Sequence, residues 1–127
     1  MQRTETVTGE MWGEPLYMGE DVVVHSVVFT PGSRTHWHRH EGLQVLLVTC
    51  GVGFVQTASG ETAEVATGDI VYCPPGEEHW HGAAQNSLMQ HTTFTLGKTD
   101  WFKPVDDEQY VEAHRAGHGA SKSVRGS

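Results

Sequence analysis

Two histidine clusters, each framed by glycines at fixed spacing, constrain this 127-residue chain more than any other feature. The first reads Gly32-x5-His38-x-His40-x3-Gln44-x6-Gly51. The second follows a gap of 16 residues and reads Gly68-x5-Pro74-x-Gly76-x2-His79. In an extended strand, residues two apart point to the same face. His38 and His40 therefore project together. His36 joins them if the strand is regular there, whereas a turn after Gly32 would rotate it out. Imidazole is the commonest side-chain ligand for transition metals. The glycines and prolines supply turns that can carry His79 across to the first pair.

The rest of the chain reads as short strands separated by turns, the pattern of an all-β sandwich or barrel. Residues 1–20 form an N-terminal arm broken by Gly9, Gly13, Pro15 and Gly19, with one short edge strand. Asp21–Thr30 is a nearly continuous apolar run, as expected of a strand buried on both faces. Thr35–His40, Gln44–Cys50, Phe54–Thr57, Glu61–Ala66, Ile70–Cys73, His79–Gly82 and Leu88–Leu96 follow as strands, and Gly97–Asp100 breaks the last. Val105–Val111 reads as one or two helical turns with acids at the start, where the helix dipole favours them. The single barrel domain is thus expected over residues 21–113. Residues 114–127 hold almost nothing apolar and read as a disordered tail.

The paired motifs resemble those of the cupin superfamily, G-x5-H-x-H-x3,4-E-x6-G and G-x5-P-x-G-x2-H-x3-N. The resemblance covers residues 32–83 directly and about 22–97 with the flanking strands. It implies a double-stranded β-helix, a jelly-roll barrel with a metal in its mouth. It also implies the ligands His38, His40, Gln44 and His79 for a divalent transition metal, manganese first, with iron, nickel, zinc, cobalt or copper as alternatives. Two positions depart from the pattern. Ala83 stands where the family has asparagine. Gln44 stands where it has glutamate, so the donors are all neutral. The ion then keeps its full charge and acts as a stronger Lewis acid, though it is held more weakly.

A narrower resemblance rests on Arg34-Thr35-x-Trp37-His38-x-His40-x3-Gln44, Pro75-Gly76-Glu77-x-His79-Trp80-His81-Gly82-Ala83-Ala84 and His91. It is to a branch of small single-domain cupins that includes manganese-dependent (R)-selective hydroxynitrile lyases. What it implies is carbon–carbon cleavage of a small α-hydroxynitrile. A pocket histidine would take the hydroxyl proton, and His91 is the family's best match for that acid–base role. His91 heads a stripe with Thr93 and Thr95 that suits a pocket wall, and an imidazole titrates near neutrality. His25 lies among valines, where it needs a polar partner, and is the second candidate. His81 shares parity with His79 but adjoins a glycine turn, so a structural hydrogen bond is expected of it. Iron-dependent dioxygen chemistry and non-catalytic binding of a metal or small ligand are the alternatives.

A net charge of −8 argues against nucleic acid or an anionic membrane as the main partner. All sixteen acids precede His114, beyond which only Arg115, Lys122 and Arg125 are charged. Cys50 and Cys73 lie in apolar runs and read as buried free thiols. No apolar run approaches a membrane span, and the N-terminus lacks a secretory pattern, so a cytoplasmic protein is expected. The partners expected are a small-molecule substrate and a second copy of the chain, giving a homodimer or higher homo-oligomer. The apolar arm residues Trp12, Leu16 and Tyr17 are candidates for that contact.

Overall fold

A computed structural model describes residues 2–3, 5–117 and 124–125, with side chains over 5–117. The chain order is β1 (Gln2–Arg3), β2 (Val7–Thr8), β3 (Met11–Met18), β4 (Val23–Phe29), β5 (Arg34–Thr35), β6 (His38–His40), β7 (Gln44–Thr57) and β8 (Thr62–Ala66). Then come β9 (Ile70–Cys73), β10 (His79–Ala83), β11 (Met89–Thr95), β12 (Thr99–Trp101), α1 (Asp107–Gly117) and β13 (Val124–Arg125). Two antiparallel layers face each other, as expected of a jelly roll. One runs β1-β3-β4-β11-β7-β9, with β13 added in parallel at the β9 edge. The other joins β8, β7 and β10 to β5 and β6, with β2 beyond β5 and β12 beyond β6.

β7 belongs to both layers. Gln44 and Val45 pair with β9 and β11, whereas Gly53 to Gln56 pair with β8 and β10. The strand changes layer at Gly51, whose φ is +86°, and the β11 register shifts opposite it between Gln90 and His91. A side chain at Gly51 would meet the Leu88 carbonyl oxygen at 1.9 Å. Two strands were expected here. The glycine supplies a bulge instead of a turn, so one strand continues.

Inward residues of the two layers make the main core, centred on Phe29, Leu46, Val48, Val55, Val71 and Met89. A second apolar cluster lies outside the β7–β10 layer. There Trp37, Phe54 and Trp80 pack against Tyr110 and Ala113 of α1. Asp106 and Gln109 form a reciprocal cap at the helix start. The Gln109 amide donates to Asp106 Oδ1 at 2.7 Å, and the Asp106 amide donates to Gln109 Oε1 at 3.1 Å. Buried Arg34 ties the helix down. It donates to the Val105 carbonyl at 2.8 Å and to Asp107 at 2.9 Å, and lies over the Tyr110 ring.

Several boundaries differ from the sequence expectation. The arm contributes an eight-residue strand, β3, with Pro15 at a register shift on the outer strand, where a missing N–H is tolerated. β4 is half-buried along most of its length rather than buried on both faces. The histidine strand is split, because Trp37 turns away to join the α1 cluster while His38 and His40 face the barrel. Gly97–Asp100 does not end the sheet, since β12 follows and pairs with β6. The helix continues through His114 to Gly117, so the expected tail from residue 114 is corrected at its start. His114 stacks on Phe54 and accepts the Gln85 amide through Nε2. The rest of that tail lies outside the described residues, apart from the backbone of 124–125. Cys73 is buried as expected, but Cys50 is exposed on the outward side of β7.

Gly51→Ala is expected to destabilise the fold by about 3 kcal/mol, combining overpacking with a left-handed backbone that alanine resists. Gly13→Ala, where an added Cβ meets nothing within 4 Å, should stay within about 0.5 kcal/mol of wild type. Urea unfolding of the two variants checks the contrast.

Candidate metal centre

The two layers enclose a cavity of about 270 Å³. Its wall includes His25, His38, His40, Gln44, His81 and His91, with threonines and apolar side chains between them. Among the described residues, no Asp, Glu, Lys or Arg lines it. β6, β7 and β10 carry the four expected ligands. His79 pairs with His38 across β10 and β6, which sets their rings 4.5 Å apart. The His38 and His40 rings are 5.0 Å apart, and His40 and His79 5.5 Å. All four residues are buried, with His79 at 0% exposure and Gln44 at 4%.

The outer nitrogen of each ring is engaged. His38 Nδ1–H donates to the His36 carbonyl at 2.9 Å, and His79 Nδ1–H donates to the Glu77 carbonyl at 3.1 Å. A carbonyl only accepts, so each bond places a proton on Nδ1 and leaves Nε2 as a lone pair when the ring is neutral. His40 Nδ1 meets the Thr99 hydroxyl at 2.8 Å. Its Nε2 is buried without a hydrogen-bond partner. Gln44 Nε2–H donates to Thr95 Oγ1 at 2.9 Å, which turns Oε1 to within 3.3 Å of His79 Nε2. Two acceptors converging in this way are satisfied by a cation. Buried Nε2 atoms facing an amide oxygen, with the rear nitrogens anchored, form a donor set that fits a divalent transition metal.

Burial also pushes the His38 and His40 rings toward the neutral form. Desolvation, followed by the charge of neighbouring His79, holds His38 well below the ordinary histidine range. Desolvation lowers His40, with Gln44 opposing it. It lowers His81 well below that range, with His91 adding to the effect, and brings His91 to about 4. Neutral imidazoles bind metal without first losing a proton.

The remaining histidines separate clearly. His91 is 1% exposed and sits in the cavity wall beside Thr93, as its stripe predicted. His25 also lines the cavity. His36 does not reach the wall, since the backbone turns there and its peptide N–H donates to the Thr6 carbonyl. His81, expected to be structural, enters the cavity. Its Nδ1 lies 3.1 Å from His91 Nε2. The supporting residues Thr99 and Trp101 were missed, because the stretch after Gly97 reads as a breaker. The Trp101 ring lies 4.6 Å from that of His38. Alternation from His40's partner on an added strand was the only signal available for Thr99.

The Cupin domain family profile matches residues 25–90. The chain belongs to the cupin family. It is 44% identical over 110 residues to the (R)-mandelonitrile lyase of Granulicella tundricola, covering 81% of this chain and 84% of that one. Among solved structures, this cupin resembles a cupin-like protein from Thermotoga maritima, with a TM-score of 0.84, 35% identity and 92% of each chain covered. It also shares its fold with a DMSP lyase from Ruegeria pomeroyi at 13% identity, with a TM-score of 0.67 and coverage of 84% and 63%. No helix among the described residues is long and apolar enough to cross a membrane.

The buried imidazoles make the ion-free cupin acid-sensitive. His38, His81 and His91 titrate near 6.5 in the unfolded chain but below that when folded, so the unfolded state binds more protons as pH falls. Their contribution is complete above about pH 7 and declines below about 6.5, by at most about 1.4 kcal/mol per pH unit for each group. For His91 the loss continues to about pH 4. Urea midpoints of chelator-treated protein, measured from neutral pH downward, should show this fall.

Proposed function

We propose that this cupin is a metal-dependent lyase that cleaves a small α-hydroxynitrile into an aldehyde and hydrogen cyanide. The observation that carries the reading is a small cavity lined by His38, His40 and Gln44, with His79 buried behind them, and with no charged side chain on its wall among the described residues. The likeness to an (R)-mandelonitrile lyase over most of both chains supplies the substrate class. His38, His40, Gln44 and His79 hold the ion, manganese by preference. When bound, it supplies a Lewis acid that stabilises negative charge on a substrate oxygen or on the departing anion.

The chain's own residues do the rest. Thr93, Thr95 and Thr99 offer hydroxyls along the wall, and Phe29 and Val27 offer apolar surface to the carbon skeleton. An imidazole of the wall outside the ligand set, His25 or His91, takes the hydroxyl proton. The O–H electron pair becomes the second bond of the carbonyl. The bond between the carbinol carbon and the nitrile carbon breaks, and its pair leaves on cyanide. The same imidazole then returns the proton to cyanide. Desolvation lowers His91 to about 4, so its ring is neutral at physiological pH but only weakly basic, below the near-neutral value expected from an ordinary imidazole.

Protein purified without an affinity tag is expected to contain about one transition-metal ion per chain and to release benzaldehyde from mandelonitrile. His79→Ala should lose both the ion and at least about 100-fold in kcat/KM. Elemental analysis and absorbance of the aldehyde read these outcomes. A metal-loaded protein inert toward cyanohydrins would leave a metal- or ligand-binding cupin and end the lyase reading.

The same reading takes this cupin as a homo-oligomer. On the outer face of the β4 layer, the register aligns Tyr17, Val24, Phe94, Val45 and Tyr72 in one row across five strands. Tyr17 is 59% exposed and Phe94 37%. At about 4.8 Å per strand the row spans roughly 20 Å, with Leu47 in the next outward row, and an exposed apolar row of this kind marks a contact surface. A second copy of this face would bury the outward side chains of β4 and β7, such as Val24 and Val45, that are only half-buried in one chain. Phe94→Glu should turn a dimer into a monomer by light scattering at micromolar concentration while leaving metal content unchanged.

A further inference from the structure

We propose that His81 is a fourth imidazole ligand of the ion and that His91 holds it in that role. The inference rests on the metal-centre reading above. It departs from the four-residue ligand set that the sequence motifs imply.

The first observation is proximity. The candidate donor atoms of His38, His79 and His81 all lie within 4.8 Å of one another, and all three residues are buried. His40 is not part of this tighter group. The His81 ring stacks against His79 with centroids 5.6 Å apart and meets His38 edge-on at 5.2 Å. β10 explains the placement, because His79 and His81 are two residues apart on one strand and share its inward face. The Thr35 hydroxyl accepts the His81 peptide N–H at 3.2 Å and fixes the backbone there.

The second observation is construction. His38, His40 and His79 each have Nδ1 bonded to an oxygen behind the ring, which turns Nε2 inward. His81 is built in the same way, with His91 Nε2 taking the place of the oxygen at 3.1 Å. Its Nε2, like that of His40, is buried without a hydrogen-bond partner, although the residue is only 4% exposed. Metal-ligating histidines almost always donate their second N–H to an acceptor, and that bond fixes the ring for the ion. If His81 offers its Nε2 lone pair, its proton sits on Nδ1 and is donated to His91 Nε2. The His91 proton then resides on Nδ1. Phe29 pins this pair, meeting His91 at 5.4 Å and His81 at 6.0 Å between ring centroids.

Four imidazoles and the Gln44 amide make five donors, so an ion that accepts six keeps one position for substrate. His91 is thereby a positioning residue, and the proton-accepting task passes to His25.

The test uses untagged full-length protein loaded with Cu(II) for pulsed EPR and with Zn(II) for chelator-competition titration. His81→Ala should remove one coordinating imidazole from the EPR modulation and weaken Zn(II) binding by at least about tenfold, comparably to His40→Ala. His81→Gln, which keeps a polar group opposite His91, should lose the same imidazole signal and guards against a folding defect in the alanine variant. His91→Ala should keep the imidazole count while weakening Zn(II) binding by about tenfold or more. An unchanged imidazole count and affinity in both His81 variants would overturn this proposal alone, leaving His81 as a hydrogen-bond donor to substrate. A wild-type protein that takes up no ion would overturn it together with the metal-centre reading.

Discussion

Buried imidazoles held by their outer nitrogens are the condition on which this molecule depends. A histidine ring left loose in such a space would expose an unsatisfied polar atom to an apolar wall. Here the carbonyls of His36 and Glu77 and the hydroxyl of Thr99 bind the rear of three rings. The same bonds choose the tautomer and the direction of the lone pair. Much of the local backbone serves this end. The kink at His36 presents its own carbonyl to His38, and the added strand β12 exists where Thr99 can reach His40.

The wall adds a second electrostatic condition. Gln44 stands where the family pattern has a carboxylate, and among the described residues no charged side chain lines the cavity, so a bound dication would face no protein anion there. Its field would fall on whatever enters. A cavity of this kind favours ligands that develop negative charge, which is the change a departing cyanide undergoes. The threonine hydroxyls can rotate to follow such a change without any side chain having to titrate.

The sequence made the convergence of the candidate ligands on β6, β7 and β10 legible, because glycine and histidine spacing records both turn geometry and face alternation. The stripe His91, Thr93 and Thr95 was legible for the same reason. His81 was not, since parity placed it beside His79 while the adjoining glycine suggested a turn. Gly82 is instead a position of close approach, where an added Cβ would lie 2.5 Å from Arg34 and from the Ser33 carbonyl. β12 was hidden because Gly97 punctuates the chain without ending the sheet. The helix was placed correctly but cut short. Its last turn is secured by His114 against Phe54 and Tyr110, contacts that local composition does not report. Trp37 turns outward into the α1 cluster and splits a strand that alternation alone would have kept whole.

β7 has a consequence for how the molecule comes together. Gln44 at one end of this 14-residue strand lines the cavity, while Phe54 near the other end supports α1. The strand is a structural member of both layers, so neither layer has all its neighbours until the other is present. Pairings such as His38 with His79 and Val23 with Thr95 join residues far apart in the chain. Closing such loops loses chain entropy before contacts return it, which makes assembly slow and concerted rather than stepwise. The histidines of the cavity wall come from strands of both layers, so they converge only once those layers have closed.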